Sequence, residues 1–277
     1  MDLYTKNALD CSKITTRNYT TSFSLGIRSM AKKYRPGIYA VYGFVRFADE
    51  IVDTFHDKDK AVLLEEYKKQ AFTAIENRFC TNPLIHSFQW AVNKYGIERK
   101  YVNAFFRTME MDLTMNSYSR KEYHDYIYGS AEVIGLMCLR VFCEGDDNKF
   151  EATKEQAKKL GEALQKVNFL RDFGSDYYDR KRVYFPGVDF NNFDRETKRQ
   201  IETEIRKDFE LAVDGIRKLG RSVRLGVYLA YNYYIELLKK IEKSSPEQIK
   251  KKRFRISNFR KLLLYINCYI RHKLNRI

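Results

Sequence analysis

One stretch limits the fold more than any other: EQAKKLGEALQKVNFLRDFGSDYYDRKR, residues 155–182, which is too long and too free of proline for a strand or loop. Leu160, Leu164, Val167 and Leu170 recur at helical spacing and form an apolar stripe. Gly161, Gln165, Asn168, Asp172 and Asp176 follow at steps of four, three, four and four, giving a second stripe over four turns. Amides and carboxylates aligned beside an apolar stripe point to a helix whose polar side also faces inward. Such a helix belongs inside a helical bundle.

The rest of the chain agrees. Only 4 prolines and 13 glycines interrupt 277 residues, which favours long helices over a turn-rich β fold. Pro36 opens GIYAVYGFVRFADEIVDTF, and KAVLLEEYKKQAFTAIENRF ends before Asn82-Pro83. Further helices are expected over roughly 98–117, 120–143, 151–178, 194–218, 222–243 and 257–275. The longest irregular piece is DRKRVYFPGVDFNNFD. With no repeat and no flexible linker, residues 1–277 read as one all-α domain.

Composition removes several classes of function. Hydrophobic residues at 44% and aromatics at 15% suffice for a buried interior, so disorder is excluded. The start, MDLYTKNALDCSK, has no signal-peptide core, and no run reaches the roughly 18 apolar residues of a span; a cytoplasmic protein is expected. Five cysteines form no CxxC pair and four histidines no zinc spacing. The net charge of +15 is concentrated: residues 239–277 hold 13 Lys/Arg against Glu242 and Glu247, hence +11. A basic tail suits nucleic acid, an anionic membrane surface, an anionic substrate or merely a solvated helix face.

A second acidic motif gives the long helix a partner. In DEIVD, Asp49 and Asp53 are i, i+4 neighbours about 5–6 Å apart at Cβ on a helix. The same stripe runs back through Arg46 and Tyr42. Alone, an acidic i, i+4 pair is a common solvated surface. Facing the Asp172/Asp176 stripe, it becomes a site able to hold magnesium ions against a diphosphate, since magnesium takes oxygen ligands from a few carboxylates plus substrate phosphates. Loss of that diphosphate would leave a carbocation that needs a dry pocket with aromatic faces. Phe23, Tyr42, Phe44, Phe47, Tyr126, Tyr128, Phe169, Tyr184, Tyr231 and Tyr234 are available.

The segments TTSFSLG, YGFVRFADEIVD, MEMDL, YIYGSAEVIG, LGEALQKVNFLRDFGSDY, RVYFP and YYIELL occur in this order along the chain. In them the chain resembles the squalene/phytoene synthase family, and within it the bacterial phytoene synthases. The resemblance implies an isoprenoid-synthase-type helical bundle with a central active-site cavity and two aspartate motifs facing across it. It implies a prenyltransferase that joins two isoprenoid diphosphates head-to-head (1'-1) through a cyclopropylcarbinyl diphosphate. Asp49, Asp53, Gln165, Asn168, Asp172 and Asp176 would serve metal and diphosphate, the metal being Mg2+ or Mn2+, with no NADPH. Tyr42, Arg46, Arg171 and Tyr234 match diphosphate-contacting positions, Ser22 a substrate-binding stretch, and Arg253 and Lys261 basic C-terminal positions. Aspartates of both motifs, Tyr42 and Arg46 are the implied catalytic set.

The resemblance leaves substrate length open: two geranylgeranyl diphosphates would give phytoene, two farnesyl diphosphates dehydrosqualene or squalene. A basic helical module for nucleic acid or membrane explains the charge but not the inward stripes; the enzyme reading expects no nucleic acid and a peripheral contact with the inner, anionic membrane face. Two departures stand out. Asn18 and Tyr19 replace a histidine found in some relatives, and Glu132 follows Ala131 where a glycine is usual, either as a structural residue or lining the diphosphate end of the cavity.

Overall fold

A computed structural model describes residues 1–277. Fourteen α-helices follow in order: α1 (Leu3–Tyr19), α2 (Ser22–Arg28), α3 (Arg35–Asp53), α4 (Lys60–Asn77), α5 (Pro83–Tyr95), α6 (Arg99–Thr114) and α7 (Arg120–Ile127). A π-turn (Tyr128–Glu132) links α7 to α8 (Val133–Phe142). Then come α9 (Asp147–Glu151), α10 (Lys154–Arg180), α11 (Arg195–Lys218), α12 (Arg221–Glu242), α13 (Pro246–Lys251) and α14 (Asn258–Lys273). No strand forms; one isolated bridge pairs Ser117 with Val183.

Local chemistry sets many of the boundaries. Asp2, Asp59, Asn82 and Ser257 accept from first-turn amides of α1, α4, α5 and α14. Ser119–Glu122 and Ser245–Gln248 form reciprocal capping boxes on α7 and α13. Prolines 36, 83 and 246 sit in first turns, where their missing N–H costs nothing. The expected run 120–143 is continuous but carries the π-turn, a local one-residue widening often found beside functional sites. Helices α1, α2, α5, α9 and α13 are additional to the runs read from the sequence.

Two aromatic-rich cores meet along α10. The N-terminal one centres on Phe44, stacked on Phe88 at 3.7 Å between centroids and edge-on to Phe106. The other gathers Phe169, Phe173, Tyr126 and Tyr184, with Phe169 stacked on Tyr184 at 4.1 Å. Helix α10 packs against the π-turn and α8 on one side and against α11, α12 and α13 on the other. Two glycines permit this. A Cβ on Gly161 would lie 2.6 Å from the Ala131 carbonyl oxygen, and one on Gly174 would lie 2.1 Å from that of Lys250.

Glu132 is structural. Its carboxylate pairs with Lys158 on α10 at 3.4 Å, and it is absent from the cavity lining, because Gly161 supplies the close helix approach from the opposite side.

Candidate active site

Between the two cores lies a cavity of about 660 Å³, and a polar chamber of about 490 Å³ adjoins it. All thirteen residues singled out above line the cavity: Ser22, Tyr42, Arg46, Asp49, Asp53, Gln165, Asn168, Arg171, Asp172, Asp176, Tyr234, Arg253 and Lys261. Helix α3 presents Tyr42, Arg46, Asp49 and Asp53 from one wall; α10 presents Gln165 to Asp176 from another. The cavity and the polar chamber share Asp53, Asp112, Asp172, Asp176, Arg180, Arg182 and Arg253, which therefore form the mouth.

One side chain measures how the motifs face. Arg180 donates to Asp53 of α3 at 2.9 Å and to Asp176 of α10 at 3.4 Å. A single guanidinium thus spans both motifs. Asp172 is gripped twice, by Arg171 at 2.5–3.0 Å and by Arg253 at 2.7–3.2 Å. Tyr234 donates to Asn168 Oδ1 at 3.1 Å, and Asn168 donates to Gln165 Oε1 at 3.3 Å, fixing both amides on the α10 stripe. Lys261 reaches Thr21, beside Ser22, at 3.1 Å. Arg46 pairs with Glu50 and lies 3.8 Å from Asp49; its guanidinium stands 4.4 Å over the Tyr19 ring. Tyr19, one of the two departures, therefore braces Arg46 with an aromatic face.

Burial makes the carboxylates at the mouth costly to ionise, in spite of the arginines among them. Burial, and then the charges of Asp53 and Asp112 working against Arg46, push Asp49 up to about 8, although a third of its side chain remains open to the mouth. Burial and Asp172, opposed by Arg180 and Arg182, push Asp176 up to about 7. Burial, opposed by Arg182, raises Asp112 to about 6. Burial also raises Tyr42 to about 12, so it stays a neutral donor. Arg46 Nε is buried without a partner, a donor left for a ligand.

These residues fit a divalent cation bound with a diphosphate. The donors are all oxygens, from four motif aspartates and two amides, which is the set magnesium and manganese prefer. Burial and then neighbouring carboxylates raise Asp49 and Asp176, and a bound cation would offset both costs of ionising them. The tightest carboxylate group, Glu162, Glu204 and Asp208, lies elsewhere and is already occupied: Lys166 reaches all three and Lys159 two of them.

Three mouth residues escaped the sequence reading. Asp112 is buried, accepts from Tyr126 at 3.1 Å and pairs with Arg182 at 2.9 Å. It sits in MEMDL, but without a second acid at i±4 it made no motif. Arg180 is one further step of four along the stripe from Asp176, a signal left unused, and Arg182 lies past the end of α10, where no periodicity assigns a direction. Of the ten aromatics, Phe23, Tyr42, Tyr126, Phe169, Tyr184 and Tyr234 line the cavity. Phe44 is core, Phe47 is exposed, Tyr231 packs on Phe209, and Tyr128 is outside the lining.

The family model for squalene/phytoene synthase matches residues 16–260. The chain belongs to this family. Among curated relatives, a phytoene synthase from Arthrospira platensis is 28% identical over 259 residues, covering 84% of this chain and 83% of that protein. A 4,4'-diapophytoene synthase from Staphylococcus haemolyticus is 23% identical over 295 residues, covering 99% of this chain and 100% of that protein. A dehydrosqualene synthase crystallised with a ligand superposes with a TM-score of 0.81 at 20% identity, covering 97% of this chain and 98% of that one. The fold is thus the isoprenoid-synthase type of helical bundle, and the chain is a prenyltransferase of the squalene/phytoene synthase family.

Proposed function

We propose that residues 1–277 act as one catalytic domain that condenses two geranylgeranyl diphosphates head-to-head to phytoene, through prephytoene diphosphate, in carotenoid biosynthesis. The observation that carries this reading is the facing of two aspartate helices, within reach of one guanidinium, across the mouth of a largely apolar cavity.

Asp49, Asp53, Gln165, Asn168, Asp172 and Asp176 would hold Mg2+, or Mn2+ in its place. When bound, the ion neutralises the leaving diphosphate and draws electron density from its oxygens. Arg46, Arg171, Arg253 and Lys261 offer charged donors to phosphate oxygens, Arg46 with its free Nε. Tyr42 and Tyr234 add neutral hydroxyls, and Ser22 a further one at the wall. Cleavage of the first C–O bond leaves an allylic cation in a largely apolar cavity lined by the aromatic side chains of Phe23, Tyr42 and Phe169. The 2,3-double bond of the second substrate attacks it, and the tertiary cation so formed closes to a cyclopropane by losing a proton from C1 of the first prenyl unit. The resulting cyclopropylcarbinyl diphosphate ionises in turn, rearranges and loses a proton. No electrons enter, so NADPH has no role.

Sequence likeness to phytoene synthases supports the C20 substrate. A second reading, C30 synthesis from two farnesyl diphosphates, is favoured by the end-to-end match to a 4,4'-diapophytoene synthase. The charge of the C-terminal segment supports contact with an anionic membrane face. Purified protein should be given each diphosphate separately with magnesium and the products separated by chromatography and mass. Phytoene from geranylgeranyl diphosphate is expected. A C30 product only would select the second reading, and release of diphosphate from neither substrate would sink both.

A further inference from the structure

Helix α14 is amphipathic in an inverted sense. Its inner face carries Lys261 and Leu264, which line the cavity, and Cys268, which is 2% exposed. Its outer face is a stripe of large apolar side chains: Phe259 (71% exposed), Leu262 (53%), Leu263, Ile266 (44%), Tyr269 and Ile270 (50%). At 100° per residue these six fall within one arc of roughly 120° centred opposite Cys268. A helix on a water-facing surface normally turns charged residues outward. Here both faces are apolar, and nothing in the chain covers the outer one.

The surrounding charge says what would cover it. No acidic residue follows Glu247, while residues 248–277 contain ten Lys/Arg. Lys251, Lys252, Arg255, Lys273 and Arg276 are all exposed at or beyond the ends of the stripe. A cationic rim around an apolar stripe matches the headgroup and acyl layers of an anionic bilayer in turn. No helix is long and apolar enough to cross a membrane, so α14 would lie in the interface plane.

We propose that the outer face of α14 is a monotopic membrane-insertion surface for anionic bilayers, separated by this one helix from the cavity in which the hydrocarbon product forms. The bilayer contact stands on the apolar stripe and its cationic rim; the role in product release rests on the hydrocarbon reading above. Lys261 and Leu264 on the inner face and Leu262, Leu263 and Ile266 on the outer face share two turns of helix. A product leaving beside α14 therefore passes from the cavity wall to lipid without crossing water. Basic residues bring the chain to the surface; the apolar stripe holds it there.

The test is flotation of the full chain with vesicles of phosphatidylcholine plus phosphatidylglycerol, against phosphatidylcholine alone, in the absence of substrate. A triple variant, Phe259→Ser, Leu262→Ser and Ile266→Ser, removes exposed side chains only. Wild type should float with the anionic vesicles and keep most of its binding in salt that abolishes a purely ionic contact. The triple variant should bind at least tenfold more weakly while its helicity and its diphosphate release in detergent remain. Equal binding by both proteins would overturn the proposal. So would a wild type that fails to float and is a dimer that the triple variant dissolves into monomers, since the stripe would then be the seat of a second copy. Turnover supplies the other arm: anionic vesicles should raise the multiple-turnover rate of wild type several-fold and leave the variant unchanged. Flotation without any product would refute the catalytic reading and leave the membrane surface standing.

Discussion

Helix α10 carries two clusters of acids, and they have opposite fates. On the side facing α11, Glu162, Glu204 and Asp208 enclose the buried Lys166, with Lys159 beside it. Hydrogen bonds to the three acids hold Lys166 above the ordinary lysine range against the opposing pull of burial, and Glu162 is held below the usual carboxylate range. Asp208 stays raised by its own burial, yet it too is paired. At the cavity mouth, Asp172 and Asp176 face Asp49, Asp53 and Asp112, and the arginines among them leave Asp49 and Asp176 raised to about 8 and about 7. The first cluster closes its charge within the protein and holds two helices together. The second lines an open cavity, where Asp49 and Asp176, raised chiefly by burial, keep carboxylate oxygens available to a ligand. Counting acids does not separate them; the placement of cations does.

Unbalancing the closed cluster should have the largest effect. Lys166→Met leaves Glu162 and Asp208 buried without their shared cation, and should cost about 3–5 kcal/mol in urea unfolding. The same readout on Asp172→Asn should show little loss, while magnesium-dependent diphosphate release falls by about 10²-fold or more. If the two variants behaved alike in either assay, the division between structural and functional acids would be wrong.

The pH dependence sharpens it further. Asp49 and Asp176 carry folded values raised above their unfolded ones, so their contribution is present at low pH and lost as pH climbs through about 7 to 8. Chelated protein should therefore lose thermal stability from about pH 4, near the unfolded carboxylate value, up to about pH 8, and level off above it. Magnesium, which needs the ionised forms, should bind more tightly over the same interval, by up to about tenfold per pH unit for each proton displaced. Calorimetry with and without chelator checks both signs, and Lys166→Met should leave the slope of magnesium affinity untouched. The smallest effect belongs to Arg180→Gln. This removes the cation that spans Asp53 and Asp176, and should tighten magnesium binding several-fold in titration calorimetry, at a cost of about 1 kcal/mol or less to the metal-free fold.

Much of this site was legible because its residues repeat at helical spacing. Asp49 and Asp53, and the run Gln165, Asn168, Asp172, Asp176, declare their shared faces by steps of three and four, and the helices keep those faces. Asp112 has no such partner; Arg180 continues the stripe one step of four beyond Asp176, but Arg182 lies past the end of α10, where Lys181 turns left-handed at φ 57°. There side-chain direction follows from tertiary packing, and no local pattern encodes it. Glu132 shows the same limit: its identity left a structural role and a place in the cavity lining both open, and the fold pairs it with Lys158.

Sequence alone therefore determined eight helical runs and which residues share a face, because those depend on neighbours within about four positions. It also contained the ten basic residues of the C-terminal segment. Only the tertiary structure decided that α3 and α10 meet across one mouth, that Lys166 neutralises one acidic cluster while the other stays open, and that α14 turns an apolar stripe outward. Those outcomes depend on contacts between residues scores of positions apart, such as Asp53 with Arg180 and Asp172 with Arg253, which close only when the bundle does.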